Sequence, residues 1–268
     1  LRFPVQPLLE IESMTKLFGG VHALEEVSLD LYAGEVVGVI GHNGAGKSTL
    51  MKIVSGALRP DRGRIRMEGE PVTLDSPIRA HQLGIEMIFQ DLALLDNLNA
   101  TENFFLGREL TRSFLGFRWN DARRMRTIAE EAIRNINPNF HRFRTEVGLL
   151  SGGQRQSVAI ARAVHLDTRV LIMDEPTAAL GPEETEMVRQ LVLRLKERDL
   201  GIFLIGHDLQ DILRLSDRIV AMRGGRVVGT LEAARASEDD LLGMIISGKV
   251  PPAALPGPGA LARAEEKS

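Results

Sequence analysis

Nine residues, Gly41-His42-Asn43-Gly44-Ala45-Gly46-Lys47-Ser48-Thr49, constrain this chain more than any others. They fit G-x-x-x-x-G-K-[ST], a loop built to wrap phosphate. Val36 to Ile40, just before it, is short, β-branched and apolar, as a buried parallel strand should be. The run from Ser48 to Leu58 reads as a helix. The glycines let the backbone curl around phosphate oxygens where Cβ atoms would block it. The helix start aims unpaired N–H groups and partial positive charge at the anion. Lys47 would reach the β- and γ-phosphates of a nucleotide, and the Ser48 hydroxyl would ligate Mg²⁺.

A loop of this kind needs a core behind it, and 268 residues suffice for one large domain or two small ones. A net charge of -3 gives no basic excess, which argues against a nucleic-acid partner and against direct binding to anionic lipid. Cysteine is absent, so disulfides and thiolate metal sites are excluded. No apolar run approaches the ~18–20 residues of a membrane span, and a signal peptide is not expected. The expectation is a cytoplasmic protein whose membrane association comes through a partner.

Leu9 to Met14 and Val27 to Leu31 read as strands separated by a turn over 16–21. Phe18, in that turn, is a candidate to stack on adenine, with Tyr32 a second. Ser76 to Leu83 is a short helix capped by Ser76 with Pro77 at its first position. Ile85 to Phe89 is a buried strand ending in Gln90. From Asp91 to about Leu149 the periodicity turns helical, with Met125, Ala129 and Ile133 on one face. Strands over 169–173 and 201–205, helices over 182–198 and 209–215, and a hairpin across Gly224-Gly225 follow. The pattern predicts an α/β core with an antiparallel β subdomain. Residues 1–90 and 151–230 form the nucleotide-binding part, 91–150 a helical insertion, and 231–268 a helix and a disordered tail.

Two further stretches bear on chemistry. In Val170-Leu171-Ile172-Met173-Asp174-Glu175, four apolar residues lead to acids at a strand's carboxyl end. Asp174 would hold Mg²⁺, directly or through water, and Glu175 would orient and deprotonate the attacking water. Leu150-Ser151-Gly152-Gly153-Gln154 precedes an amphipathic helix, so Ser151 and the two glycine backbones offer a second anion-binding helix start. Two such starts serve one nucleotide only if they come from different molecules or meet in space.

These motifs, in this order, resemble the nucleotide-binding subunit of an ATP-binding-cassette (ABC) transporter, from about Leu9 to Lys249. Gly41 to Thr49 matches Walker A, Gln90 the Q-loop, Leu150 to Gln154 the signature, Asp174 and Glu175 Walker B, and His207 the switch histidine. The resemblance implies a P-loop NTPase (RecA-like) core in the ABC ATPase fold. It implies a head-to-tail dimer with two ATP molecules, each held by Walker A of one subunit and by Ser151, Gly152, Gly153 and Gln154 of the other. Gln90 would sense Mg²⁺ and water, and His207 would contact the γ-phosphate. Two positions depart from the family pattern: Gly181 replaces the usual Asp, and Gly206 the usual Ser.

Three stretches narrow the resemblance to prokaryotic monosaccharide importers of the ribose, xylose or fructose type: residues 19–24, 90–94 and 104–109. A single cassette would pair with a copy of itself or a sibling. It would sit at the cytoplasmic side of the inner membrane, peripheral through permease subunits fed by a sugar-binding protein. Rival readings are an importer ATPase for branched-chain amino acids or lipid, and a non-transport ABC ATPase.

Overall fold

The structure, a computed structural model, describes residues 6–89, 91–114, 117–165, 167–178 and 180–256. The strands are β1 (Leu9–Phe18), β2 (Val21–Leu31), β3 (Val36–Ile40), β4 (Arg62–Met67), β5 (Glu70–Val72), β6 (Ile85–Ile88), β7 (Thr111–Phe114), β8 (Phe117–Asn120), β9 (Val170–Asp174), β10 (Gly201–Ile205), β11 (Arg218–Arg223), β12 (Arg226–Glu232) and β13 (Leu255–Pro256). The helices are α1 (Lys47–Val54), α2 (Pro77–Gln82), α3 (Ala100–Phe104), α4 (Ala122–Ile136), α5 (Gly152–Val164), α6 (Pro182–Lys196), α7 (Leu209–Leu215) and α8 (Glu238–Ser247).

The chain divides into two compact units. One comprises Leu1–Met87, Thr168–Glu175 and Val192–Ser268; the other Ile88–Asp167 and Pro176–Leu191. This division differs from the boundaries drawn on the sequence, because α5 and the start of α6 group with the helical unit.

The first unit holds two sheets. A seven-stranded sheet has the order β13-β12-β11-β3-β10-β9-β6. Its strands β11, β3, β10 and β9 run parallel, and β3 and β10 are buried along their whole length. That two-sided burial is why they read as unbroken apolar runs. Val37, Val39, Ile172, Phe203, Leu50 and Ile53 are fully buried in this core, each contributing about 1.5–3 kcal/mol. An antiparallel sheet of order β2-β1-β4-β5 accompanies it.

Strands β1 and β2 are longer than their alternation suggests, and the turn between them shrinks to Gly19-Gly20. Register shifts between Ile11 and Met14 and on either side of Lys16 break the two-residue period and hide the continuation. Ser13 and Glu26 take left-handed backbone there (φ 46° and 51°). Part of the tail expected to be disordered is also ordered: Leu255 and Pro256 pair with Thr230 and Gly229 of β12.

At the amino edge of the larger sheet lies a charged network. Glu35 is fully buried and accepts hydrogen bonds from Arg218 Nε (2.9 Å) and from its own turn at Tyr32 N (2.9 Å). Arg218 also donates to Asp30 Oδ1 (2.8 Å) and stands 5.9 Å from the Tyr32 ring centroid. Tyr32 therefore precedes β3 at the end of the sheet remote from Gly41, and it is not placed to stack on a nucleotide held there.

Among the described residues the second unit is mainly helical. Asn103 is fully buried and closes the 95–99 loop through Leu95 N, Leu95 O and Leu98 O. Helix α4 turns Met125, Ala129, Ile133 and Ile136 inward, as its periodicity predicts. An exception is the β7–β8 hairpin, where an all-helical insertion was expected. Thr111, Phe114, Phe117 and Trp119 favour extended backbone, and this stretch has no helical repeat.

Candidate nucleotide-binding site

Parallel register assembles the site in the first unit. Ile205 pairs with Val39 on one side and Asp174 on the other. Strands β3, β10 and β9 therefore end level, and the loops leaving them lie side by side. These loops carry Gly41 to Gly46, Gly206-His207, and Glu175. The carboxyl edge of a parallel sheet is where such folds bind ligands. A cleft of about 590 Å³ opens there, between Gly41, His42, Asn43, Gly206 and His207 and the apolar residues Leu209, Leu242 and Ile245.

The glycine loop is fixed by sterics. Gly46 caps α1 with φ 102°, and a Cβ on it would stand 2.6 Å from Ala23 O. A Cβ on Gly41 would stand 2.3 Å from Met222 O. Ala45 O accepts from Gly225 N (3.1 Å), tying the loop to the β11–β12 turn. Lys47 is only 6% exposed and donates to Gly41 O (2.7 Å) and His42 O (3.2 Å). Burial holds its ammonium below the ordinary lysine range, while Glu175 and Asp174 oppose that shift. Ser48, next along, is exposed in the first turn of α1, and Thr49 is half-buried.

Asp174 is the last residue of β9 and is half-buried. Burial and the adjacent Glu175 raise its carboxyl above the usual range, while Lys47, His207 and Lys52 oppose the rise. Glu175 N donates to Ile205 O (2.9 Å), and its Oε1 lies 2.5 Å from His207 Nε2. The chain between Glu175 and His207 includes all of α6, so only the sheet brings them together.

A divalent cation fits this chemistry. A small hard cation takes a hydroxyl, one carboxylate and phosphate oxygens, and retains water. Ser48 and Asp174 are such donors, and burial, with the adjacent Glu175 carboxylate, raises the Asp174 carboxyl at a place where a cation would favour its charged form. Among the described residues no group of three or more His, Cys, Asp or Glu side chains is arranged to hold a metal by itself. Gln90, read as a further ligand, lies outside the described residues.

The signature residues belong to the second unit. Ser151 caps α5 in a reciprocal box: Gln154 N donates to Ser151 Oγ (3.4 Å) and Ser151 N to Gln154 Oε1 (3.2 Å). Ser151 Oγ also donates to Glu184 (3.0 Å), as does Gly153 N (2.9 Å). Sequence reading missed Glu184. Its signal was its place three residues into a helix opened by Gly181-Pro182, where an acid reaches back to the cap. Phe18 ends β1, is half exposed (51%), and has Lys16 Nζ 5.6 Å from its ring centroid. It faces Val21 across the hairpin, on the strand whose Ala23 abuts Gly46.

A family model described as "ABC transporter" matches residues 24–178. The fructose import ATP-binding protein of Rhizobium meliloti is 39% identical over 92% of this chain and 96% of its own length. A ribose import ATP-binding protein of Burkholderia ambifaria is 43% identical over 90% of this chain, which spans only 47% of that relative. Among solved structures, an ATP-binding cassette of an ABC transporter superposes with a TM-score of 0.77 and 28% identity, covering 92% of this chain and all of the other. A dimeric cassette in a post-hydrolysis state, bound to ADP and Pi, gives 0.71 and 27%, covering 85% and 100%. Among the described residues no helix is long and apolar enough to cross a membrane. The sheet-edge glycine loop, the paired acids beside a histidine and the match over most of the chain agree: this protein belongs to the ABC transporter family, with the fold of its ATPase cassettes.

Proposed function

We propose that this chain is the ATP-hydrolysing subunit of an importer, energising uptake of a monosaccharide through separate permease subunits. The observation that carries it is the convergence of Lys47, Asp174, Glu175 and His207 at one sheet edge, in a chain whose relatives are named for fructose and ribose import. Two such subunits act together, as in the solved dimeric cassette.

Each residue has a physical task. The loop from Gly41 to Gly46 wraps the phosphates with backbone N–H groups, and Lys47 exchanges two loop carbonyls for phosphate oxygens. Phe18 offers its exposed ring to adenine. Ser48 and Asp174 would hold Mg²⁺, with Gln90 as a further ligand, and the cation would supply charge neutralisation on the triphosphate. Glu175 is the general base for water, and His207, in contact with it, orients that carboxylate and meets the γ-phosphate. Ser151, Gly152, Gly153 and Gln154 cap the triphosphate of the opposite subunit. The protein works at the cytoplasmic face of the cell membrane, held there by the permease. No sugar-binding residue is expected in this chain.

Two measurements test the proposal. Glu175→Gln should keep ATP binding and slow turnover about 10²–10⁴-fold, the usual worth of a general base; near-normal turnover removes Glu175 from the role. With the cognate permease in vesicles, ATPase activity should rise when a binding protein loaded with a pentose or hexose is added. Stimulation by a loaded amino-acid-binding protein instead would replace the cargo.

A further inference from the structure

Glu184 stands in the first turn of α6, three residues beyond Gly181. Its Oε1 accepts two hydrogen bonds, from Ser151 Oγ at 3.0 Å and Gly153 N at 2.9 Å. Its Oε2 accepts from Gly181 N at 3.3 Å. One carboxylate thus bridges the amino ends of α5 and α6, where unpaired N–H groups and partial positive charge collect. The Gly153 contact above all, helped by those of Gly181 and the Ser151 hydroxyl, holds this carboxyl below its ordinary range against the opposing effect of burial. A Cβ on Gly153 would stand 2.8 Å from Glu184 Cγ, so the glycine is what admits the carboxylate so close.

Ser151 and Gly153 are also the donors assigned above to the opposite subunit's triphosphate. A hydroxyl has one hydrogen and an amide one, so neither can donate fully to two anions. The two acceptors repel each other as well. We propose that Glu184 is a resident stand-in for the γ-phosphate: it occupies the signature turn of the open subunit and must be displaced when an ATP-loaded partner docks. Glu184 thereby sets the ATP concentration at which two subunits close. The proposal rests on the two-subunit reading above. Displacement is local, because the carboxylate keeps the Gly181 amide within reach while it releases Ser151 and Gly153. Once phosphate leaves, the same carboxylate retakes both donors and favours reopening.

The test is ATP-dependent dimerisation of the full chain in the slowly hydrolysing Glu175→Gln background, followed by sedimentation. A hydrogen bond to a charged group corresponds to roughly ten- to a hundredfold in an equilibrium. Adding Glu184→Ala should therefore lower the ATP concentration for half-dimerisation about tenfold or more. Glu184→Gln keeps the shape and loses the charge, and should give a smaller shift in the same direction, with ATP affinity of the monomer unchanged. A merely structural Glu184 predicts the opposite sign, since a loosened signature turn would weaken the dimer. Unchanged or higher ATP requirements in both folded variants overturn the proposal. If no variant, Glu175→Gln included, dimerises with ATP, the two-subunit reading itself falls, and this proposal with it.

Discussion

Glu175 has a left-handed backbone (φ 53°), a conformation that costs a residue with a side chain about 1–2 kcal/mol. Its amide, bonded to Ile205 O, holds it there, and the turn aims its carboxylate at His207 rather than along β9. Strain of this kind collects where geometry serves chemistry. Asp174, its neighbour, carries a second cost. A buried carboxyl with a raised pKa binds more protons folded than unfolded between its ordinary value of 3.8 and the raised one. Stability is therefore lost as pH rises through that window. Asp174→Asn should stabilise the nucleotide-free protein near pH 7 by about 0.5–2 kcal/mol. Each kcal/mol is worth roughly 2–4 °C of melting temperature in a chain of this size. Melts across pH should show the gain full above the raised pKa and gone below about pH 3.8. MgATP binding should weaken in the same variant; a variant that is less stable at neutral pH would show that a charged carboxylate buried beside Glu175 is not a cost to the fold.

Among the elements, the larger sheet separates two jobs along its strands. Its carboxyl edge carries the glycine loop, Asp174, Glu175 and His207. Its amino edge is clamped by the network of Asp30, Glu35 and Arg218, with Lys196 bonded to Asp217 (2.5 Å) and Val36 N to the same carboxylate (3.0 Å). Burial pushes the Glu35 carboxyl up, and Arg218 opposes that shift. Removing the arginine leaves a fully buried carboxylate with the Tyr32 amide but no counter-ion, which costs about 3–5 kcal/mol. Arg218→Met should therefore lower the urea midpoint by that equivalent with the slope unchanged. A loss under about 1 kcal/mol would mean that the pair contributes little to holding β3 beside β11.

For the whole molecule, the two compact units carry different halves of the proposed machine: the phosphate loop and the acids in one, the signature turn in the other. The signature side can then be blocked without touching the phosphate loop. Ser151→Arg should leave ATP affinity of the monomer within about twofold and abolish ATP-dependent dimerisation in the Glu175→Gln background. Calorimetric titration and sedimentation measure the two quantities separately. A dimer that persists with Arg at that position would place the second anion site elsewhere.

Local motifs were legible in the sequence because their physics is local. Glycines, a buried five-residue strand and a helix start mark the phosphate loop in the sequence, although its close approaches to Ala23 and Met222 come from the fold. The bounds of β3, β10 and α7 likewise follow from apolar runs and turn residues. The family resemblance rested on the order of such motifs. Tertiary structure alone decided what depends on residues distant in the chain. Strand order β3-β10-β9 sets His207 against Glu175, and bulges carry β1 and β2 past their visible alternation. The fold of the second unit brings the Glu184 carboxylate onto Ser151 and Gly153. A sequence carries period and propensity for its own neighbours; which strand lies beside which, and which carboxylate meets which helix end, is fixed only when the core packs.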